Sequence, residues 1–158
     1  MAIALALALH VLAVVLWIGG VAMVTTVLLP AVRRFKTLDE QVAFFEQIEK
    51  RFALQARWTT LLAGATGFYM VDRLDLWSAF ASIAYWWLDA MVLLWLVFTS
   101  MLFVAEPLFL DRWFRERAKR APEATFVLIQ RLHWLLLAFS LATIIGAVAG
   151  SHGVSFIR

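Results

Sequence analysis

From Met1 to Val32 the chain carries no charged side chain. A bilayer core is crossed by roughly 20 apolar residues, and a backbone without water must close its own hydrogen bonds. The run therefore predicts a membrane-spanning helix. A secretory signal would need a basic n-region and a shorter apolar core; no Lys or Arg precedes this run. Its centre reads Leu9-His10-Val11-Leu12-Ala13-Val14-Val15-Leu16-Trp17-Ile18-Gly19-Gly20. An ionisable side chain within lipid is costly and marks a candidate functional site. At 100° per residue His10 shares a face with Trp17, Val21 and Val24. Gly19 and Gly20 leave a flat place where a second helix can approach.

The rest of the chain follows suit. Hydrophobic residues make up 64% of it, against about 45–50% in soluble domains. Three further spans are expected, so that the four cover about 3–29, 53–72, 83–106 and 126–150. Pro30 ends the first. The second is the least apolar. Its charge-free core runs only from Trp58 to Val71, so a full crossing must carry Arg57 near its end. Asp89 interrupts the third span, and Glu106-Pro107 closes it. Between the first two spans, Thr37-Leu38-Asp39-Glu40 reads as a capping box. Phe45, Ile48 and Phe52 then share one face, which predicts an amphipathic helix at the membrane surface or leading into span two. Pro122 suits the first turn of the last helix.

Twelve Lys and Arg fall in two elbows: Arg33, Arg34, Lys36, Lys50, Arg51 and Arg57, then Arg112, Arg115, Arg117, Lys119, Arg120 and Arg131. Only Arg73 and Arg158 lie on the other side. This asymmetry predicts cytoplasmic elbows and both termini outside. It also accounts for the net charge of +3 without nucleic acid. Cysteine is absent, which excludes disulfides, thiolate metal sites and iron–sulfur clusters. The expected fold is all-α: one integral membrane domain, an antiparallel four-helix bundle with an amphipathic cytoplasmic helix between spans one and two.

Depth sorts the candidate chemistry. His10 lies roughly 10–12 Å below the outer surface at 1.5 Å per residue, with Asp89 and Met91 at a similar level. His10 is a candidate haem axial ligand; the competing reading is a neutral histidine bonded to Asp89. Asp89 and Met91 are 200° apart and cannot both face it. Asp89 shares a face with Leu93, Leu96 and Ser100, which reads as interior. Met91 aligns with Trp95, Phe98 and Met101 or Leu102, which reads as lipid-facing. Asp89 is thus the expected partner of His10, ahead of Met91 as a sixth ligand; the competing reading is an interface carboxylate reaching outward to water. His133 heads a stripe of Leu137, Ser140, Ile144, Ala147 and Ser151, an interior seam; the competing reading puts it at headgroup level beside Arg131 and Trp134. It lies near the cytoplasmic face, so one iron is not expected to join it to His10 within a chain; two sites, or a second protomer as in a homodimer, would be needed. His152 reads as a solvated terminal histidine, with a fold back toward a cofactor as the alternative. The methionines do not cluster at helical spacing, so a copper site is not visible. Arg57 and Glu106 both sit at the cytoplasmic ends of apolar spans, where they are expected to pair.

The first span, from Leu9-His10 through Trp17-Ile18-Gly19-Gly20 to Leu28-Leu29-Pro30-Ala31, resembles the opening span of the copper resistance protein D superfamily. It is similar too to the related four-helix bacterial protoporphyrinogen oxidases. Arg51-Phe52, Trp87-Leu88 and Arg131-Leu132-His133 add short echoes in the other spans. The resemblance implies a bacterial inner-membrane b-type haem protein with His10 as axial ligand. In the oxidase branch a lysine in span three accompanies that histidine; its nearest position here is Met91, so protoporphyrinogen oxidation is not the expected activity. The leading expectation is a haem protein that moves electrons, with quinone or a small oxidant as partner. The alternatives are a copper-handling membrane protein and a cofactor-free structural subunit of a membrane complex.

Overall fold

The computed structural model describes residues 1–35 and 37–152; Lys36 and Arg158, both in the basic count, lie outside the described residues. The described residues are helical, with no strand among them. Helix α1 spans Ala2–Val32, α2 Leu38–Arg73, α3 Trp86–Ser100, α4 Asp111–Arg120 and α5 Pro122–Ser151. Two 3-10 turns, Trp77–Ala81 and Ile83–Tyr85, link α2 to α3. A π-helical stretch, Met101–Leu110, joins α3 to α4 without a break, so residues 86–120 form one rod. Helix α1 packs along α2, α2 against α3, α3 against α5, and α5 against α1. Trp17 of α1 and Phe98 of α3 meet edge to face across the middle, ring centroids 4.9 Å apart.

Three stretches, Ala2–Val32, Ile83–Leu110 and Pro122–Ser151, are long and apolar enough to cross a membrane. Their outer faces are apolar too: Leu93 is 64% exposed, Leu108 68% and Phe139 66%. A surface of that kind suits lipid rather than water. Helix α2 is not one of the three, although its second half also exposes Trp58, Leu61 and Leu62.

Of the two expectations for the amphipathic helix after span one, the second is found: it leads straight into the stretch expected as span two and is not a separate element. It is the first half of α2, which runs unbroken for 36 residues. Its start is as expected. The Thr37 hydroxyl accepts from the Glu40 amide at 3.3 Å, and the Glu40 carboxylate accepts from the Thr37 amide at 3.2 Å. Its apolar face covers protein, not lipid. Phe45 is buried with Phe114 and Phe126, all three rings within 5.3–6.1 Å of one another. Val24, Leu28, Leu29, Val32 and Ala118 complete this basic-end core. A second core, towards the opposite end, gathers Ala13, Trp17, Ile18, Val21, Ala63, Phe98 and Leu137.

Neither Pro30 nor Pro107 ends its helix, contrary to the expectation from sequence. A proline lacks the amide hydrogen and its ring collides with the carbonyl four residues earlier in an α-helix. Both lie at or just beyond a wider π register, which relieves that crowding. Around Pro30, the Leu29 amide bonds the Val24 carbonyl, five residues back. In that register Pro30 should serve Thr25, and Pro107 should serve Leu102, but neither proline can donate. Both orphaned carbonyls find donors on other helices. Gln130 Nε2 donates to the Thr25 carbonyl at 2.6 Å. Arg57 Nε donates to the Leu102 carbonyl at 3.1 Å.

Gln130→Leu tests this. It keeps the bulk and removes the donor, leaving the fully buried Thr25 carbonyl without a partner. An unmet buried acceptor costs about 1–3 kcal/mol. Unfolding in mixed micelles should show a loss of that size. Unchanged stability would mean that the carbonyl has another route to satisfaction.

Candidate functional site

Helix α2 presents small residues to α1 and α3, and large rings settle on them. A Cβ added at Gly64 would lie 2.6 Å from the Trp95 indole; one at Gly67 would lie 3.2 Å from His10 Cε1. Gly20 likewise faces the Phe52 ring. The absence of side chains at these three positions allows the rings to approach.

The His10 ring lies against α2 with a defined tautomer. Its Nδ1 is 2.9 Å from the Ala63 carbonyl and 3.1 Å from Thr66 Oγ1. A carbonyl can only accept. The Thr66 hydroxyl already donates to the Leu62 carbonyl at 2.6 Å, so it too offers a lone pair. Both neighbours require the hydrogen to be on Nδ1. In the neutral ring Nε2 then carries the free lone pair, and it has no partner among the described residues. This is the arrangement of metal-bound histidines, whose second nitrogen donates to a carbonyl or carboxylate.

His10 lines a partly open cavity of about 750 Å³ between α1, α2, α3, α5 and the first 3-10 turn. Its walls are almost wholly apolar. Phe68, Phe80, Trp87 and Trp95 supply rings, and Met70 and Met91 supply thioethers. Ser140, Thr143 and Ser151 also line it, but their hydroxyls donate to their own helix backbone at 2.7–2.8 Å. Trp17 and Phe98 lie towards the basic end. Trp17 borders both this cavity and a second one of about 190 Å³. The Trp17 indole N–H has no partner among the described residues.

The other sequence candidates divide. Asp89 is exposed, and with it Leu93, Leu96 and Ser100, so that stripe is the outward face of α3. It does not line the His10 cavity, and the expected Asp89–His10 contact is replaced by Ala63 and Thr66. The face expected to meet lipid is the inner one: Met91 and Trp95 line the cavity, and Phe98 is buried. The α5 stripe is interior as expected, with Leu137 and Ser140 buried. His133 borders the smaller cavity with Glu46, Glu49 and Glu106, and its Nδ1 donates to the Ile129 carbonyl at 3.0 Å. His152 is exposed, donating to the Val148 carbonyl at 2.8 Å. His10 and His133 thus serve different cavities.

Sequence reasoning missed Ala63, Thr66 and Gly67. The available signal was the run of small residues in α2, Thr59-Thr60 through Ala63-Gly64-Ala65-Thr66-Gly67, which marks a close helix contact in lipid. No three His, Cys, Asp or Glu side chains gather as a metal cluster among the described residues. Comparison with known proteins gives no matching family model, no matching curated protein and no matching solved structure.

Proposed function

We propose that the chain is a four-span membrane protein that holds a b-type haem in the larger cavity and passes electrons through it. One observation carries the reading: His10 Nδ1–H is held by the Ala63 carbonyl, so Nε2 offers its lone pair at the wall of a large apolar cavity. A volume of about 750 Å³ falls within the ~300–1,000 Å³ of cofactor sites. Haem needs one protein nitrogen and a dry, aromatic-lined slot, and these residues fit it. His10 would be the axial ligand, with Met91 in the wall formed by α3. The group supplies one-electron chemistry, and its potential follows from axial ligation and surrounding polarity. The chain's own part is to orient the imidazole through Ala63 and Thr66, to exclude water with the leucine, valine and ring lining, and to floor the site with Trp17, which packs on Phe98. A quinone or a small diffusible oxidant would be the redox partner.

The test is the visible spectrum of the purified protein, oxidised and reduced, together with metal analysis. Absence of haem from protein made with ample haem supply would remove the proposal. A second reading rests on His10, Met70 and Met91 bordering the same cavity, because thioethers and imidazole suit Cu(I). Copper without a Soret band would select it.

In this reading α2 supplies the fourth span, with its Arg57 paired rather than bare. The basic elbows lie in the cytoplasm of a bacterial cell and both termini lie outside its inner membrane. Reporter fusions within 112–120 should be active on the cytoplasmic side, and a fusion at Arg158 on the outer side. A cytoplasmic C-terminal reporter would reverse the orientation.

A further inference from the structure

Around the basic end, each long rod passes from lipid-facing side chains to bare cations within one or two turns. On α1, exposed Val27 is followed by exposed Arg33 and Arg34. On α2, exposed Arg51 lies one turn from exposed Leu54. Exposed Leu108 and Phe109 lead into Arg112, Trp113 and Arg117, and on α5 exposed Arg131 adjoins exposed Leu132. The ion pairs among the described residues use Arg57 and Arg115. The six exposed arginines of the ring, Arg33, Arg34, Arg51, Arg112, Arg117 and Arg131, take part in neither of these two pairs.

We propose that this ring binds the phosphates of anionic phospholipids in the adjoining leaflet, with the Trp113–Arg117 pair as its strongest point. Depth supports it. The headgroup layer on each side of a bilayer is roughly 5–8 Å thick. Arg112 lies about 4.5 Å along the helix beyond Phe109, within that layer. Arg117 lies about 12 Å beyond, but its guanidinium folds back over the Trp113 ring, 5.5 Å from the centroid. Trp113 is partly exposed next to the apolar belt, where indoles favour the interface. Stacking on that ring leaves the edge of the guanidinium free to donate to phosphate oxygens. Helix α4 is fixed by Phe114 and Ala118, which are buried in the basic-end core on its neighbouring face. The cations are therefore presented by a rigid element. Phosphate binding does not depend on the haem reading.

The full-length protein, reconstituted in nanodiscs of equal phosphatidylglycerol and phosphatidylcholine, should be re-extracted and its retained lipids counted by native mass spectrometry. Phosphatidylglycerol should be enriched at low salt. The exposed pair Arg112→Gln and Arg117→Gln should lower the enrichment by roughly fivefold per charge removed. Arg73→Gln, at the opposite end, should leave it unchanged. Equal retention of the two lipids by the parent protein would overturn the proposal. So would enrichment that survives loss of both arginines, or that falls as far in Arg73→Gln.

Discussion

His10→Ala is expected to purify with its helices intact and at least tenfold less haem per chain. The imidazole hangs from α1 but is steadied by α2, through one carbonyl and one hydroxyl. Removing it leaves the cavity without a nitrogen ligand on that wall and does not break an ion pair. Folding should survive, because the buried neighbours on the same face, Trp17, Val21 and Val24, are untouched. Circular dichroism separates loss of haem from loss of fold. Added imidazole should restore part of the Soret band, since the space left by the side chain adjoins the cavity.

The companion variants make the result specific. Asp89→Asn should leave the spectrum and potential as they are, because the carboxylate faces outward. His133→Ala should spare the haem, because His133 borders the other cavity. Met91→Leu should change the spin state or potential while haem content holds. His10→Ala protein with full haem and an unchanged spectrum would sink the assignment and move attention to His133.

Local signals in the sequence were legible. The Thr37–Glu40 capping box depends on four consecutive residues, and it formed. The Arg57–Glu106 pair could be foreseen because two opposite charges at one depth in lipid have few other partners. The faces of α3 were not legible. In water, polarity separates inside from outside; in lipid, leucine suits either side, and packing of rings onto small residues decides. Gly64 admits Trp95, so the Met91–Trp95–Phe98 face turns inward and Leu93 and Leu96 face outward. A polar Ser100 on the outward stripe pointed the wrong way. The prolines misled for a related reason. Each looked like a stop because its broken bond is local, whereas the repair comes from Gln130 and Arg57 on distant stretches.

Arg57→Met is expected to be the most destabilising single change at the basic end, by about 3 kcal/mol. Arg57 does two things. Its Nη2 sits 2.9 Å from Glu106 Oε1, and its Nε serves the carbonyl that Pro107 leaves orphaned. The side chains are 33% and 15% exposed, so the pair is neither dry nor freely solvated. Breaking a buried pair from one side typically costs ~3–5 kcal/mol, and this exposure points to the lower end. Glu106→Gln should cost less. The amide keeps an acceptor for Nη2, Nε keeps the Leu102 carbonyl, and the one-third-exposed guanidinium can move towards water. In Arg57→Met/Glu106→Gln the Glu106 charge is removed as well, but the orphaned carbonyl remains. The double variant should therefore recover only part of the loss, with a coupling of about 1–2 kcal/mol. Unfolding in mixed micelles gives all three numbers. Strict additivity would mean that the two side chains reach solvent independently and that the contact does not hold the helices together.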